Sequence, residues 1–153
     1  MGLDMYLYAK NYLSDFHPEE NEKAEAIQKL FPELAGVKYQ YGSAVKYVIA
    51  GIGYWRKANA IHDWFVKNVQ YNNDNCGSYY VDREKLIELR KLCDTVLKNR
   101  DSASENLPTA SGFFFGSTEY DDWYFNSLED TIGIIDAALK LPNDWQFEYQ
   151  SSW

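Results

Sequence analysis

Residue types able to do chemistry gather in two stretches of this chain. One runs from Gly53 to Val66 as GYWRKANAIHDWFV, the other from Ser111 to Tyr124 as SGFFFGSTEYDDWY. In the first, His62 is the candidate acid or base, because imidazole exchanges protons near neutral pH. Arg56 can fork to a phosphate or carboxylate or stack on a ring, and Asn59 can read the polar edge of a ligand. Tyr54 and Trp55 add flat faces that join apolar area to a polar handle. In the second, Phe113, Phe114 and Phe115 stand between Gly112 and Gly116. If that run is extended, Phe113 and Phe115 share one side and Phe114 takes the other, so one side can anchor a loop while the other lines a cleft. Ser117 and Thr118 supply hydroxyls, and Glu119, Asp121 and Asp122 supply carboxylates. The combined set for a flat, partly apolar ligand is Tyr54, Trp55, Arg56, Asn59, His62, Phe113, Phe115, Ser117, Thr118 and Glu119.

Each of these residues also has a purely structural use. A lone histidine on an apolar helical face is more often a hydrogen-bonded core residue than a catalyst. No carboxylate stands three or four residues from His62 to orient it; Glu119, Asp121 or Asp122 would have to do so through the fold. Arg56 can pair with Glu119 or Asp122, three phenylalanines can pin a loop to a sheet, and acids in a first helical turn complement its positive end. GxSxG, HExxH, GxGxxG and GxxxxGK[ST] patterns are all missing, and Cys76 and Cys93 lack metal-ligand spacing. His62 is therefore the one candidate for catalysis, and neither a metal nor a cofactor is expected.

The elements that must position these groups follow from periodicity. Leu3 to Tyr8 alternates as a strand. His17-Pro18-Glu19-Glu20 opens a helix whose apolar positions are Ala24, Ile27, Leu30, Phe31 and Leu34, ended by Pro32 or Gly36. Val37, Tyr39 and Tyr41, then Val45, Tyr47 and Ile49, alternate on either side of Gly42-Ser43. They read as an interrupted strand or hairpin, with a short helix capped by Ser43 as the alternative. Gly53 opens a helix from Tyr54 to Val69, with Trp55, Ala58, Ile61, His62, Phe65, Val66 and Val69 on its apolar face and Arg56, Asn59 and Asp63 along one flank. Tyr71 to Gly77 is a loop, and Tyr79 to Val81 is extended. Asp82 caps a helix with the stripe Leu86, Leu89, Cys93, Val96 and Leu97. Asp101 to Thr109 reads as an exposed, mobile connection. Ser117 or Thr118 caps a helix reaching Leu141, either continuous or broken near Asn126, and Trp145 to Tyr149 is a last strand. The class is α+β in one domain, residues 1–153: a small antiparallel sheet packed on one face by three to four helices.

Composition narrows the function. The net charge of −8 over 153 residues argues against binding duplex nucleic acid, which needs basic groups facing phosphates. Aromatic residues make up 17%, with 13 Tyr and 5 Trp, a bias shared by binding surfaces and by strands. Cys93 falls in an apolar stripe as a buried free thiol and Cys76 in a polar loop, a usage that fits a reducing cytoplasm. No signal segment and no apolar run of membrane-spanning length is visible.

On Gly2-Leu-Asp-Met-Tyr-Leu7, Tyr54-Trp-Arg-Lys-Ala-Asn-Ala-Ile-His62 and Ser111-Gly-Phe-Phe-Phe-Gly-Ser-Thr-Glu-Tyr-Asp121 the chain resembles a family of short uncharacterised proteins of bacteriophages and bacterial genomes. The resemblance covers nearly the whole chain. It implies an accessory protein in a phage or mobile-element setting, where small proteins often block host defence, and it carries over no activity. The leading expectation is a non-catalytic binder that sequesters a nucleotide-like small molecule. The alternatives are an acidic, protein-binding inhibitor of a host defence complex, anti-CRISPR-like or a mimic of nucleic acid, and a small nucleotide hydrolase using His62. Oligomeric state is left open by the sequence.

Overall fold

The computed structural model describes residues 2–40 and 42–153. Tyr41, expected to alternate with Val37 and Tyr39, lies outside them. The fold is α+β. Strands β1 (Asp4–Tyr12), β4 (Tyr47–Arg56), β5 (Ser78–Val81) and β6 (Gln146–Ser152) form an antiparallel sheet in the order β4-β1-β6-β5. The helices are α1 (Pro18–Gln28), α2 (Asn59–Asn68), α3 (Arg83–Lys98), the single turn α4 (Ala103–Asn106) and α5 (Asp122–Leu139), and a small hairpin joins β2 (Lys38–Tyr39) to β3 (Gly42–Ser43). By packing, the chain falls into two compact units: Met1–Ala9 with Gly51–Trp153, and Lys10–Ala50.

In the larger unit, strand alternation sorts the side chains. Leu3, Met5, Leu7 and Ala9 are buried with Phe147 and Tyr149, while Tyr6 and Tyr8 stack at 6.0 Å on the opposite face of β1. The buried face meets α2 and α5: Phe65 stacks on Tyr149 at 3.9 Å. Helix α5 passes so close to β4 that a β-carbon on Gly53 would lie 2.5 Å from Ile134 Cγ2. That approach, and not a helix start, is what the glycine permits.

Helix α3 buries Leu86, Leu89, Cys93 and Val96 as its stripe anticipates. Helix α5 is continuous through Asn126, because Leu128, Thr131 and Ile135 keep one buried face. Its N-cap is Asp121, whose carboxylate accepts from the Tyr124 N–H at 3.0 Å, so neither Ser117 nor Thr118 caps it. The 101–109 connection is anchored: Ala103 and Leu107 are buried, and the Tyr124 hydroxyl donates to the Leu107 carbonyl at 2.8 Å. Two isolated apolar residues give no periodicity to read, yet they suffice to pin a short turn.

The smaller unit departs most from periodicity. Helix α1 stops at Gln28, short of Leu30, Phe31 and Leu34, and a 3-10 turn over Pro32–Leu34 follows. The Gln28 amide donates to the carbonyls of Leu34 and Val37, both at 2.8 Å, which turns the chain back on itself.

Burial pushes the Cys93 thiol up to about 12 and raises the Tyr149 and Tyr124 hydroxyls. A raised acid keeps its proton in the folded state while the unfolded chain ionises near the ordinary value, so this contribution is complete below that value and lost as pH climbs toward the folded one. Between pH 8 and pH 10, Cys93 alone is expected to lower unfolding free energy by about 1–2 kcal/mol. Urea midpoints of the native chain and Cys93→Ala would show it: the native chain should lose more across that interval, and parallel losses would refute the assignment.

Candidate functional site

The strand β4 continues through Arg56, so Tyr54, Trp55 and Arg56 are not on a helix, as the spacing had implied. Val48, Ile49 and Ile52 favour the extended state, and the Lys57 N–H closes the pairing on the Leu3 carbonyl at 2.7 Å. Lys57, at φ +55°, then breaks the strand before α2 begins at Asn59. The consequence is a split of the expected site. Trp55 points inward, 3% exposed, and its indole N–H donates to Thr131 Oγ1 at 2.9 Å. Tyr54 and Arg56 face the other way. The Tyr54 hydroxyl donates to Asp4 Oδ1 at 2.5 Å, and Arg56 Nη1 lies 3.9 Å from the same oxygen. Arg56 thus pairs with Asp4, where Glu119 or Asp122 had been expected. The hydrogen bond to Asp4 raises the Tyr54 hydroxyl above its ordinary value.

The two aromatic stretches do meet, through Asn59. This residue is 4% exposed. Its Nδ2 donates to the carbonyls of Phe115 at 3.1 Å and Ser117 at 2.8 Å, and its Oδ1 accepts from the Ala110 N–H at 3.0 Å. The phenylalanine run is a turn and is not extended, since the Phe115 N–H returns to the Gly112 carbonyl at 3.2 Å. Phe113 and Phe114 therefore sit edge to face at 4.7 Å, not on opposite sides. Gly116, at φ +88°, lies against Lys57, where a β-carbon would come within 3.2 Å of Lys57 Cβ. Phe115 is half-buried with its ring edge-on to His62 at 5.1 Å, whereas Phe113 is 96% exposed. Ser117, Thr118 and Glu119 are exposed. The Ser117 hydroxyl accepts from the Glu119 N–H at 3.0 Å, and the Thr118 carbonyl accepts from Thr109 Oγ1 at 2.9 Å.

Between the stretches lies a hollow lined by Lys57, Asn59, Ser117, Glu119, Asp121 and Trp123, with a volume of about 20 Å³. That is room for one water and for no ring. Its walls carry two carboxylates against one lysine.

His62 is 1% exposed. Its Nδ1 lies 2.8 Å from the Tyr149 hydroxyl and its Nε2 lies 3.1 Å from Asp74 Oδ2. In the neutral ring the carboxylate fixes the tautomer: Nε2–H donates to Asp74, and Nδ1 accepts from Tyr149. Asp74 Oδ1 in turn accepts from the Trp153 indole N–H at 3.1 Å. The orienting carboxylate is thus Asp74, in the 71–77 loop, and not Glu119, Asp121 or Asp122. Asp74, Tyr149 and Trp153 were not among the candidates. Only the strict alternation of β6, which sends Tyr149 inward beside Phe147, offered a signal.

The fold and site define an α+β protein with a buried His–Tyr pair linked to a partly exposed Asp74 and an acidic, aromatic surface where α5 begins. No protein-family profile matches the chain, no curated protein matches it, and no solved structure does. Among the described residues, no helix is long and apolar enough to cross a membrane, and no three of His, Cys, Asp and Glu gather as a metal site would require.

Proposed function

We propose that the protein acts without catalysis, by binding a basic surface of a partner protein through the start of α5. In the phage or mobile-element setting that the sequence resemblance implies, that partner would be a component of host defence. The observation that carries this reading is Trp123: it is 59% exposed on a short acidic segment, with Glu119, Asp121 and Asp122 around it in sequence and the Tyr120 ring edge-on to Tyr124 at 5.0 Å. An exposed indole among carboxylates suits an arginine, whose guanidinium can lie on the ring while its N–H groups fork to an acid. Phe113 adds an almost wholly solvated ring whose burial would contribute about 1.5–3 kcal/mol.

The other two readings fit the same geometry less well. A nucleotide would require the one-water hollow to open, and Arg56, the residue meant for its phosphate, does not line that hollow and pairs with Asp4. A hydrolase would need substrate to reach a sealed His62.

The test is retention of host-cell proteins on the immobilised chain. A basic protein should be held by the native chain, released as salt rises, and held at least about tenfold less by Trp123→Ala or by the pair Glu119→Lys, Asp122→Lys. All three positions are exposed, so melting temperatures should barely move. Equal retention by native and altered chains would overturn the proposal.

A further inference from the structure

We propose a second, separate binding site in the smaller unit: the hollow lined by residues from Glu25 to Lys38 and by Gly42 and Ser43 takes a small organic anion with an apolar body. Nothing in the two aromatic stretches pointed to it. Its volume is about 460 Å³, within the range of sites that hold drug-sized ligands. Its apolar walls are Phe31, Pro32, Ala35 and Val37, of which Phe31 and Val37 remain half-exposed.

The hollow is held open by one side chain. All four hydrogen-bonding positions of the Gln28 amide are used: Nε2 on the Leu34 and Val37 carbonyls, and Oε1 accepting from Ser43 Oγ at 2.6 Å and the Ala44 N–H at 2.8 Å. Both rims are thereby tied to α1, so a ligand would not have to organise them on binding.

The charge on the lining selects the ligand's sign. Lys29 and Lys38 both line the hollow, and among the described residues neither has an ion-pair partner, whereas Lys46 of the same unit is paired with Asp15. The one carboxylate on the lining, Glu25, accepts from Asn21 Nδ2 at 3.2 Å. In a chain of net charge −8, two lysine ammonium groups beside an apolar wall fit a carboxylate, sulfonate or phosphate joined to a ring or an alkyl chain.

The probe is 8-anilinonaphthalene-1-sulfonate, an aromatic anion whose fluorescence rises when it leaves water. The native chain should bind it saturably with one site. The double variant Lys29→Gln, Lys38→Gln should weaken it at least about fivefold, and Phe31→Ser should do the same, with unchanged melting because all three residues are exposed. Displacement by adenosine monophosphate would assign a nucleotide-like ligand, and displacement by decanoate a fatty-acid-like one. Unsaturable binding, indifference to the two lysines, or displacement by neither competitor would overturn the proposal. Trp123→Ala should leave the probe's affinity unchanged, which separates this site from the surface at α5.

Discussion

Replacing Asn59 by alanine is expected to lower the unfolding free energy by about 2–4 kcal/mol and to release the loop from Ala110 to Ser117. The side chain makes three hydrogen bonds to that loop from a position 4% exposed. Each contributes about 1 kcal/mol, and any backbone group left unpaired inside costs about 1–3 kcal/mol more. Asn59→Asp sharpens the test. Its carboxylate could still accept from the Ala110 N–H, but it would set a second oxygen against the carbonyls of Phe115 and Ser117, where Asn59 donates. The aspartate should therefore be at least as damaging as the alanine. A residue that merely reads a ligand would show the opposite: unchanged stability in both variants and lost binding. Urea midpoints together with hydrogen exchange at the Ala110 amide decide between them. Midpoints within about 0.5 kcal/mol of native would mean that Asn59 does not hold the loop.

That result bears on why the site was only half legible in the sequence. Aromatic and polar residues are packed into two short stretches that touch through Asn59, but the first of them has the period of a strand up to Arg56 and not that of a helix. Trp55 continues in register with Ala58, Ile61 and Phe65 on a 3.6-residue repeat, and Arg56 with Asn59 and Asp63, yet the β-branched and glycine-rich approach from Val48 to Gly53 extends the chain through Arg56. Once the period is 2, Trp55 and Arg56 must face opposite ways, and a set drawn as one site becomes a core residue and a surface ion pair. Tertiary pairing with Leu3 decided this, and local propensity does not report it. The strands at either end, helix α3 and the continuity of α5 were legible because each has a long, unmixed pattern. The hollow of the smaller unit was not, because it depends on the Gln28 side chain bonding carbonyls six and nine residues away, in a segment where hydrophobic spacing pointed to more helix. The His62 partner was hidden for a related reason: Asp74 lies twelve residues along, inside a loop whose Tyr71, Asn72 and Cys76 all adopt positive φ.

Removing the His62 ring is expected to be the most damaging single change, about 3–5 kcal/mol for His62→Ala. Two effects add. The ring fills space between Phe115 and Tyr149, so alanine leaves a cavity. The Tyr149 hydroxyl, on a fully buried residue, also loses the hydrogen-bond partner it has in His62 Nδ1. Smaller changes separate the parts. His62→Leu keeps most of the volume and should cost about 2–3 kcal/mol through the stranded hydroxyl. Tyr149→Phe removes that hydroxyl and should cost about 1–2 kcal/mol, and Asp74→Asn should cost about 1 kcal/mol or less, because Asp74 is one-quarter exposed and water can replace it. The pair His62→Leu, Tyr149→Phe is the informative one. With both polar partners gone the interior has no orphan at that point, so the double variant should be more stable than the sum of the single losses predicts by about 1–2 kcal/mol. Strict additivity would show that the hydrogen bond carries no energy. A loss below about 1 kcal/mol for His62→Ala would make the ring dispensable to the fold, and a chemical role for His62 would then be the better explanation of a histidine placed between a carboxylate and a phenol.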